Sequence, residues 1–402
     1  MTKIATPRTP DLVLFDGGPF ARVMRAVRLQ GGEVGDRARR RALVLMAVAW
    51  LPLLVLSALD GQATGGRADL PFLLDASVHV RFLLALPLLV LAEIVVNSRV
   101  RGVPGLLVER GLVPDRECAP LHAAVSAANR RCASVRPEFV ILVLALGVGA
   151  WQVAGPGFLL GESSATISSW YVEPASLGGN HSLAGLWFAF VSLPLFQFVA
   201  LRWYHRILVW AALMWRVSRL DLQLVAVHPD RVAGLGFLNR TAYAFLPLAL
   251  AHGAMLSAVL VNQIVFAGAQ LVDFGAEIAL VLVFVFCLLL GPLLVLAPPL
   301  MAENQRALAD YGVLAGKVAR EFDARWIRDP ARRQSGLLDG GEVSAMADLD
   351  AALGIIRGMR YVPVDMEAAL WIAAAVLAPV LPLLLTVIPA DELFKALIGL
   401  LL

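Results

Sequence analysis

Seven long apolar runs constrain this chain more than any other feature of its sequence. Each is long enough to cross a hydrocarbon core of about 30 Å as a helix, although the third is short and could instead be tilted or re-entrant. The sequence therefore predicts an all-α, polytopic transmembrane helix bundle of about seven spans. The runs lie near residues 42–59, 76–97, 138–154, 183–210, 241–267, 275–300 and 364–388.

The composition agrees with membrane insertion and argues against a soluble fold. Hydrophobic residues make up 59% of the chain and charged residues 16%, whereas soluble domains are roughly half apolar and a quarter charged. The net charge of +3 is too small to indicate nucleic-acid binding. The three cysteines show no CxxC spacing, so we expect neither a disulfide framework nor a zinc site.

Positive charge is distributed unevenly between the connections. Those after the second, fourth and sixth runs are rich in arginine, whereas 155–182 and 268–274 contain no lysine or arginine. Because positively charged connections stay in the cytoplasm, the sequence predicts a cytoplasmic amino terminus and an external carboxyl terminus. Arginine in place of nearly all lysine suggests a bacterial source, and no cleavable signal precedes the first run. We therefore expect a multi-pass protein of the bacterial inner membrane.

The chain divides into four predicted regions. Residues 1–41 form a cytoplasmic arm, and residues 42–302 hold spans one to six together with cytoplasmic helices at 104–135. Residues 303–362 form a cytoplasmic helical extension with a linker, and residues 363–402 hold the last span and a short external interfacial helix. The cytoplasmic segments together predict a small helical layer on that side of the bundle.

The amino-terminal arm contains a basic amphipathic segment at 19–30, in which Arg22, Arg25 and Arg28 avoid the apolar face. Such a helix would lie on anionic lipids, where each arginine contributes about 1 kcal/mol. Packing of the arm against the cytoplasmic helices is the alternative. The sequence favours neither over the other.

Prolines interrupt six of the seven runs. Each proline removes a backbone donor and frees a carbonyl, an arrangement typical of the broken helices of transporters and channels. Membrane helices also tolerate proline without a functional reason. The prolines are Pro52, Pro87, Pro194, Pro247, Pro292, Pro379 and Pro382.

Few ionisable side chains lie within the runs, and each is a functional candidate because burying it unpaired costs several kcal/mol. His252 lies near the middle of the fifth run, although a neutral core histidine is the simpler explanation. Glu93 lies at a depth similar to that of Arg202 and Arg206, which predicts an interhelical ion pair. A third group marks the predicted outer mouth: Asp75, His79 and Arg81.

The fourth run ends in a polar, glycine-bearing loop. Its notable members are His228, Pro229, Asp230, Arg231, Gly234 and Gly236. Proline and glycine specify a backbone path, so the loop is either a structural turn or a gate. Its first three residues also occur in the J domain, but the basic helix that must precede them there is missing. The GxG lacks the third glycine and the preceding strand of a dinucleotide fingerprint.

The loop resembles that of a family of polytopic bacterial membrane proteins that has no assigned function. The resemblance rests on HPDR followed by GLGFL in the loop, on Asp75-x-x-x-His79-x-Arg81, and on the ALPLL run at 85–89 that leads to Glu93. It implies a multi-span helical architecture and nothing about cargo. The sequence departs from the family pattern at Ala233, where a glycine is expected before Gly234.

No motif of an enzyme class is present. The chain lacks GxxxxGK[ST], HExxH, GxSxG and a paired-carboxylate motif, which carry phosphate binding, zinc hydrolysis and nucleophilic catalysis. We therefore expect no enzyme, no metal site and no cofactor.

These features together predict a channel or secondary transporter, and the excess of arginine at its cytoplasmic mouth favours anions. The alternative is a non-transporting scaffold or sensor that recruits partners through helices at 304–326 and 345–360. The lipid bilayer is the expected partner, and a homo-oligomer remains open because a pore could run through one subunit or between several. The predicted mouth residues are Glu93, Arg202, Arg206, His228, Asp230 and Arg231.

Overall fold

The structure is a computed structural model, and it describes residues 10–14, 18–20, 22, 34–65, 69–154, 169–171, 181–328 and 341–386. Most of the helix predicted at 19–30, most of the linker between Arg328 and Gly341, and the predicted external helix near the carboxyl terminus lie outside these residues. Within them the chain is helical and forms no strand beyond an isolated bridge between Leu70 and Ser169.

Twelve helices organise the described chain. They are α1 (Val34–Leu59), α2 (Leu86–Val100), α3 (Val103–Glu109), α4 (Asp115–Ala133), α5 (Val135–Ala154), α6 (Leu193–Val217), α7 (Asn239–Ala244), α8 (Leu246–Ala267), α9 (Gly275–Leu294), α10 (Ala297–Phe322), α11 (Gly341–Arg357) and α12 (Met366–Leu377). Short helical turns at Ala76–His79 and Leu183–Trp187 lead into α2 and α6, and four 3-10 turns lie in or beside the connections.

Five continuous helical segments are long and apolar enough to cross a membrane. They are Gly35–Leu59, Ala76–Glu109, Leu183–Val217, Gly236–Ala267 and Leu271–Leu294. A sixth is counted if α4 and α5, which bend by 41° at their junction, form one broken span. The prediction of an all-α multi-pass membrane protein is confirmed, with five or six long apolar helices in place of seven.

The seventh apolar run does not form one long helix. It divides into α12, which has 12 residues, and a 3-10 turn at Leu381–Thr386. Proline lacks the N–H that an α-helix needs, and it disfavours helical geometry in the residue before it. Pro379 and Pro382 therefore account for the break after Leu377.

Two π-helical segments precede the prolines that begin α2 and α6. One spans Val80–Ala85 and the other Phe188–Ser192. A proline ring clashes with the carbonyl four residues earlier, which here belongs to a π-helical residue in each case. The wider turn gives the ring room, so Pro87 and Pro194 explain where the two segments form.

Many apolar side chains lie on the surface of the bundle, and several large aromatic side chains lie in its interior. Trp203 and Trp210 are fully buried, and the side chain of Leu280 on α9 is 69% exposed. Contiguous apolar surface of this kind marks contact with a partner or with a membrane. Together with the length of the helices, it identifies a protein whose bundle lies in lipid.

Helices α8 and α12 approach until their backbones touch. A Cβ atom added at Gly253 of α8 would lie 2.1 Å from the carbonyl oxygen of Val376. The Ser257 hydroxyl donates to the Pro379 carbonyl at 2.6 Å, just beyond α12. Small residues at such contacts are typical of membrane helices because they allow close packing.

Candidate functional site

Five buried or partly buried charges from four helices form what we call the ionic cluster. Arg202 Nη1 of α6 lies 2.8 Å from Glu93 Oε1 of α2, which confirms by geometry the ion pair expected there. Arg41 of α1 approaches the second Glu93 oxygen at 4.0 Å. Glu138 of α5 lies 3.5 Å from Arg202 Nε and 3.3 Å from Arg206 Nη2.

The ionic cluster also holds the amino-terminal arm. The Leu14 carbonyl accepts from Arg206 Nη1, and the Phe20 N–H donates to Glu138 Oε2 at 2.9 Å. The Arg202 guanidinium lies 4.8 Å from the centroid of the Phe20 ring. These contacts place the described part of the arm against the bundle, where it caps the cluster.

Neighbouring contacts extend this attachment of the arm. Leu12 and Leu14 are buried, and the Leu12 N–H donates to the Arg101 carbonyl at 3.1 Å. The Val13 N–H donates to Asn129 Oδ1 of α4 at 2.9 Å. The arm therefore packs at its described positions, while the lipid-bound helix predicted at 19–30 lies largely outside the described residues.

Sequence reasoning missed two members of the ionic cluster, Glu138 and Arg41. Glu138 lies in the first turn of the third apolar run, where a buried carboxylate needs a cationic partner. The need for a cationic partner could therefore have identified Glu138 from the sequence. Arg41 is the last of three consecutive arginines before the first apolar run. Such arginines also mark the cytoplasmic end of a span, so the sequence holds no separate signal that Arg41 pairs with an acid.

In the polar loop, the Asp230 carboxylate organises the backbone. Oδ1 accepts from the N–H groups of Val232 at 2.9 Å and Gly234 at 3.1 Å, and Oδ2 accepts from Gly236 at 2.8 Å. His228 Nδ1 lies 2.9 Å from Oδ1. Burial raises the pKa of Asp230, but these hydrogen bonds outweigh it and leave the pKa below its ordinary value.

The backbone of the loop needs this support because it turns sharply. Arg231 has φ 57°, Ala233 has φ 55° and Gly234 has φ 96°. Residues other than glycine pay roughly 1–2 kcal/mol for the left-handed region. Ala233 is the position at which we expected glycine from the sequence, and glycine would adopt its φ without this cost.

The loop joins two other parts of the chain. The Arg360 N–H donates to the Arg231 carbonyl at 2.7 Å, and Arg360 Nη2 donates to the Asp230 carbonyl at 3.3 Å. The Gln223 N–H donates to the Leu112 carbonyl at 2.8 Å, which ties the stretch before the loop to the chain after α3. Pro229 starts the turn, and the His228 side chain is 40% exposed, compared with 19% for that of Asp230.

The six residues predicted at one cytoplasmic mouth therefore belong to two groups with different neighbours. Arg202 and Arg206 contact the amino-terminal arm, and Glu93 pairs with Arg202. The loop instead contacts Arg360, and the stretch before it contacts Leu112. The geometry gives both groups a role in holding helices and connections together.

At the other end of α2, Asp75 binds four neutral donors. Its Oδ1 accepts from Ser77 N–H at 3.0 Å, Val78 N–H at 3.3 Å and Asn262 Nδ2 at 2.8 Å. Its Oδ2 accepts from Trp170 Nε1 at 3.0 Å. The carboxylate thus caps the helical turn that leads into α2 and joins it to α8.

His79 and Arg81 lie beyond this cap but differ in their contacts. Trp50 Nε1 donates to His79 Nδ1 at 3.0 Å, so His79 Nε2 carries the proton that the Leu73 carbonyl accepts at 3.2 Å. The Arg81 guanidinium lies 5.9 Å from the Phe188 centroid and 5.8 Å from that of Phe196. Among the described residues, Arg81 Nε is buried without a hydrogen-bond partner.

His252 pairs with a tyrosine that sequence reasoning did not select. His252 Nδ1 lies 2.7 Å from the Leu248 carbonyl, which only accepts, so Nδ1 carries the proton. In the neutral ring, Nε2 is then an acceptor, and the Tyr204 hydroxyl donates to it across 2.9 Å. Phe196, Ala200 and Tyr204 are spaced four residues apart, which places them on one face of α6. This spacing was the signal in the sequence that could have selected Tyr204.

The His252–Tyr204 pair borders a cavity of about 370 Å³ between α2, α6, α8 and α9. The other lining side chains are apolar and include Leu89, Phe196 and Met255. The cavity opens at Val259 and Phe284, whose side chains are 39% and 44% exposed.

Comparison with known proteins gives no further guide to these sites. No known protein family, no curated protein and no solved structure matches the chain. In the part of the chain that the structure describes, no three His, Cys, Asp or Glu side chains are grouped to hold a metal ion.

Proposed function

We propose that the chain is a channel or secondary transporter of the bacterial inner membrane that moves anions, with Arg81 as the residue that contacts them. The observation that carries the proposal is the environment of Arg81. Arg81 belongs to a segment that is long and apolar enough to cross a membrane, and its guanidinium lies against two phenyl rings.

The cation–π contacts compensate only part of the cost of this charge. Each contributes about 0.5–2 kcal/mol, whereas an uncompensated charge in a membrane costs several kcal/mol. The nearby acid, Asp75, already accepts from four neutral groups. The Arg81 Nε–H has no hydrogen-bond partner in the part of the chain that the structure describes. An anion that binds the guanidinium would therefore be held by the charge and by hydrogen bonds.

Two features of the backbone support an anion path at this level. The π-helical segments Val80–Ala85 and Phe188–Ser192 face each other, since the Phe82 and Phe188 ring centroids lie 6.2 Å apart. Arg81 extends from the first segment over Phe188 of the second. Single π-helical turns in longer helices frequently occur at functional sites.

Flux measurements in proteoliposomes test the proposal. Purified protein should carry halides, nitrate or small carboxylates faster than empty vesicles do. Arg81→Gln should lower that flux by about tenfold or more, because it removes the only charge that we assign to the anion. Arg81→Lys should retain part of the flux, because lysine keeps the charge but loses the planar donor geometry.

Arg306→Gln is the matched control because it removes an equal charge from a side chain that is 78% exposed on α10. It should leave the flux unchanged. Failure of the wild-type protein to carry any anion above the rate of empty vesicles would contradict the proposal, as would full flux in Arg81→Gln.

A second candidate is a scaffold or sensor that recruits partners through α10 and α11. The observation that favours it is the exposed apolar surface of α10 at Leu308, Val313 and Leu314. The two helices are joined by the hydrogen bond from Asn304 Nδ2 to the Ile356 carbonyl at 2.6 Å. Partner capture that depends on these helices, in a protein without anion flux, would favour this candidate.

A further inference from the structure

We infer that the cavity beside Tyr204 and His252 is a binding site for a neutral membrane lipid that carries one free hydroxyl, such as a long-chain alcohol. The inference is independent of anion transport, because no charged side chain lines the cavity among the described residues. It rests on the position of the cavity, its shape and the hydrogen-bond roles of its two polar side chains.

The position of the cavity determines what can enter it. All four helices that form its wall, α2, α6, α8 and α9, belong to segments that could cross a membrane. Its opening at Val259 and Phe284 lies on the apolar lateral surface. A molecule that reaches this opening must therefore come from the hydrocarbon of the bilayer, where apolar chains are the solvent.

The cavity is elongated along the helices. On α8 the lining extends from Leu248 to Val259, which corresponds to about 16 Å at a rise of 1.5 Å per residue. The polar pair lies toward one end, and Phe196 lies farther along α6 toward its amino-terminal end. The molecule that fits is narrow and apolar over most of its length.

The hydrogen bonds within the pair leave one acceptor position, on the Tyr204 oxygen, for a ligand. His252 Nδ1 donates to the Leu248 carbonyl, and the Tyr204 hydroxyl donates to His252 Nε2. The Tyr204 oxygen keeps a lone pair that can accept one further hydrogen bond. A ligand hydroxyl can donate to this oxygen, whereas an ether or an ionised carboxylate has no proton to donate.

The polar pair also lies at a suitable depth for such a molecule. Tyr204 lies between Arg202 and Arg206 in the sequence of α6, and both arginines belong to the ionic cluster. Charged side chains of this kind cluster near the headgroup level. The hydroxyl of the lipid would therefore lie toward the side of the membrane that holds the ionic cluster, while its chain extends toward the opposite side.

Photolabelling of the full-length protein in lipid nanodiscs tests the inference. The probes are hexadecanol with a diazirine in its chain, the methyl ether of the same molecule, and the corresponding carboxylic acid at pH 7. The alcohol should label α8 between Leu248 and Val259 about five to ten times more efficiently than the ether, as expected for one hydrogen bond. The acid should label less than the alcohol.

Two sets of variants separate the site from general lipid contact. Tyr204→Phe combined with His252→Leu removes both polar partners together, which preserves the shape with little cost in stability, and should bring the alcohol-to-ether ratio to about one. Val259→Trp should reduce labelling by every probe because it narrows the opening. Val265→Trp, at a position of α8 that is 64% exposed and outside the cavity, should change nothing.

Three results would overturn the inference. Equal labelling of the wild-type protein by alcohol and ether would contradict the assignment of the hydroxyl. Preferential labelling by the acid would indicate an anionic lipid instead. Labelling that persists at full strength in a correctly folded Val259→Trp variant would show that the probes bind outside the cavity.

Discussion

At the scale of single residues, polar side chains in this protein differ in how completely their neighbours satisfy them. Asp75 and Asp230 each accept several hydrogen bonds and hold short stretches of backbone in place. Arg81 has two aromatic contacts instead. Side chains of the first kind explain local structure, whereas a residue of the second kind is the better candidate for binding a ligand.

Asp230 gives a prediction about stability. Asp230→Asn should lower the free energy of unfolding by about 1–3 kcal/mol, because the amide NH₂ cannot accept and at least one backbone N–H is left unpaired. Anion flux should not change, because the loop is assigned to structure. Thermal unfolding in detergent measures the first effect and the proteoliposome assay the second, with exposed Asp310→Asn as the control.

The lowered pKa of Asp230 determines how the difference in stability between the wild-type protein and Asp230→Asn depends on pH. A carboxylate with a depressed pKa in the folded state stabilises the fold above its unfolded pKa, near 3.9. That contribution is lost as the pH falls through the folded pKa. The gap in stability between the wild-type protein and Asp230→Asn should therefore be constant near neutral pH and narrow below about pH 4. A gap that widens in acid would contradict the role given to the carboxylate.

At the scale of helices, prolines and glycines decide where each element ends and how closely two elements approach. Pro87 and Pro194 accompany π-helical turns, and Pro379 accompanies the end of α12. Gly253 allows α8 to contact the backbone of α12 at Val376. Since α12 has only 12 residues, its position in the bundle depends on this contact with α8.

Gly253 gives a prediction about helix packing. Gly253→Ala should lower the midpoint of thermal unfolding, because the added methyl group would meet a carbonyl oxygen at 2.1 Å and force α12 away. Gly291→Ala on α9 is the matched control, since a Cβ there meets nothing within 4 Å. Alanine is the better helix former, so the control should be as stable as the wild-type protein or more so. Equal stability of both variants would argue against the close contact.

At the scale of the whole molecule, the ionic cluster connects helices that lie far apart in the sequence with the amino-terminal arm. Arg41, Glu93, Glu138 and Arg206 come from four helices. Removal of one partner from a buried ion pair typically costs 3–5 kcal/mol, because it leaves an uncompensated charge. The cluster is therefore positioned to fix how these helices and the arm assemble at this end of the bundle.

The predicted orientation can be tested with two matched substitutions in a protein whose three native cysteines have been replaced. Val272→Cys lies between α8 and α9, and Val313→Cys lies on α10; the native side chains are 71% and 60% exposed. A membrane-impermeant maleimide should label position 272 in intact cells and position 313 only after permeabilisation. The reverse pattern would invert the orientation.

The sequence alone determined the class of this protein. The apolar runs predicted a multi-span helical bundle, because a backbone in hydrocarbon must satisfy its own hydrogen bonds. The depth of Glu93 and Arg202 along their helices also predicted their ion pair, which the structure places at 2.8 Å. Both results depend on local length and spacing, which a sequence records directly.

Only the tertiary structure decided which polar residues meet. It divided the predicted mouth into the ionic cluster and the loop, added Glu138 to the first, and paired His252 with Tyr204 at an apolar cavity. It also separated α12 from the turn that follows it. These outcomes depend on how helices rotate and pack against each other, and helical spacing fixes which residues share a face without fixing which neighbour that face contacts.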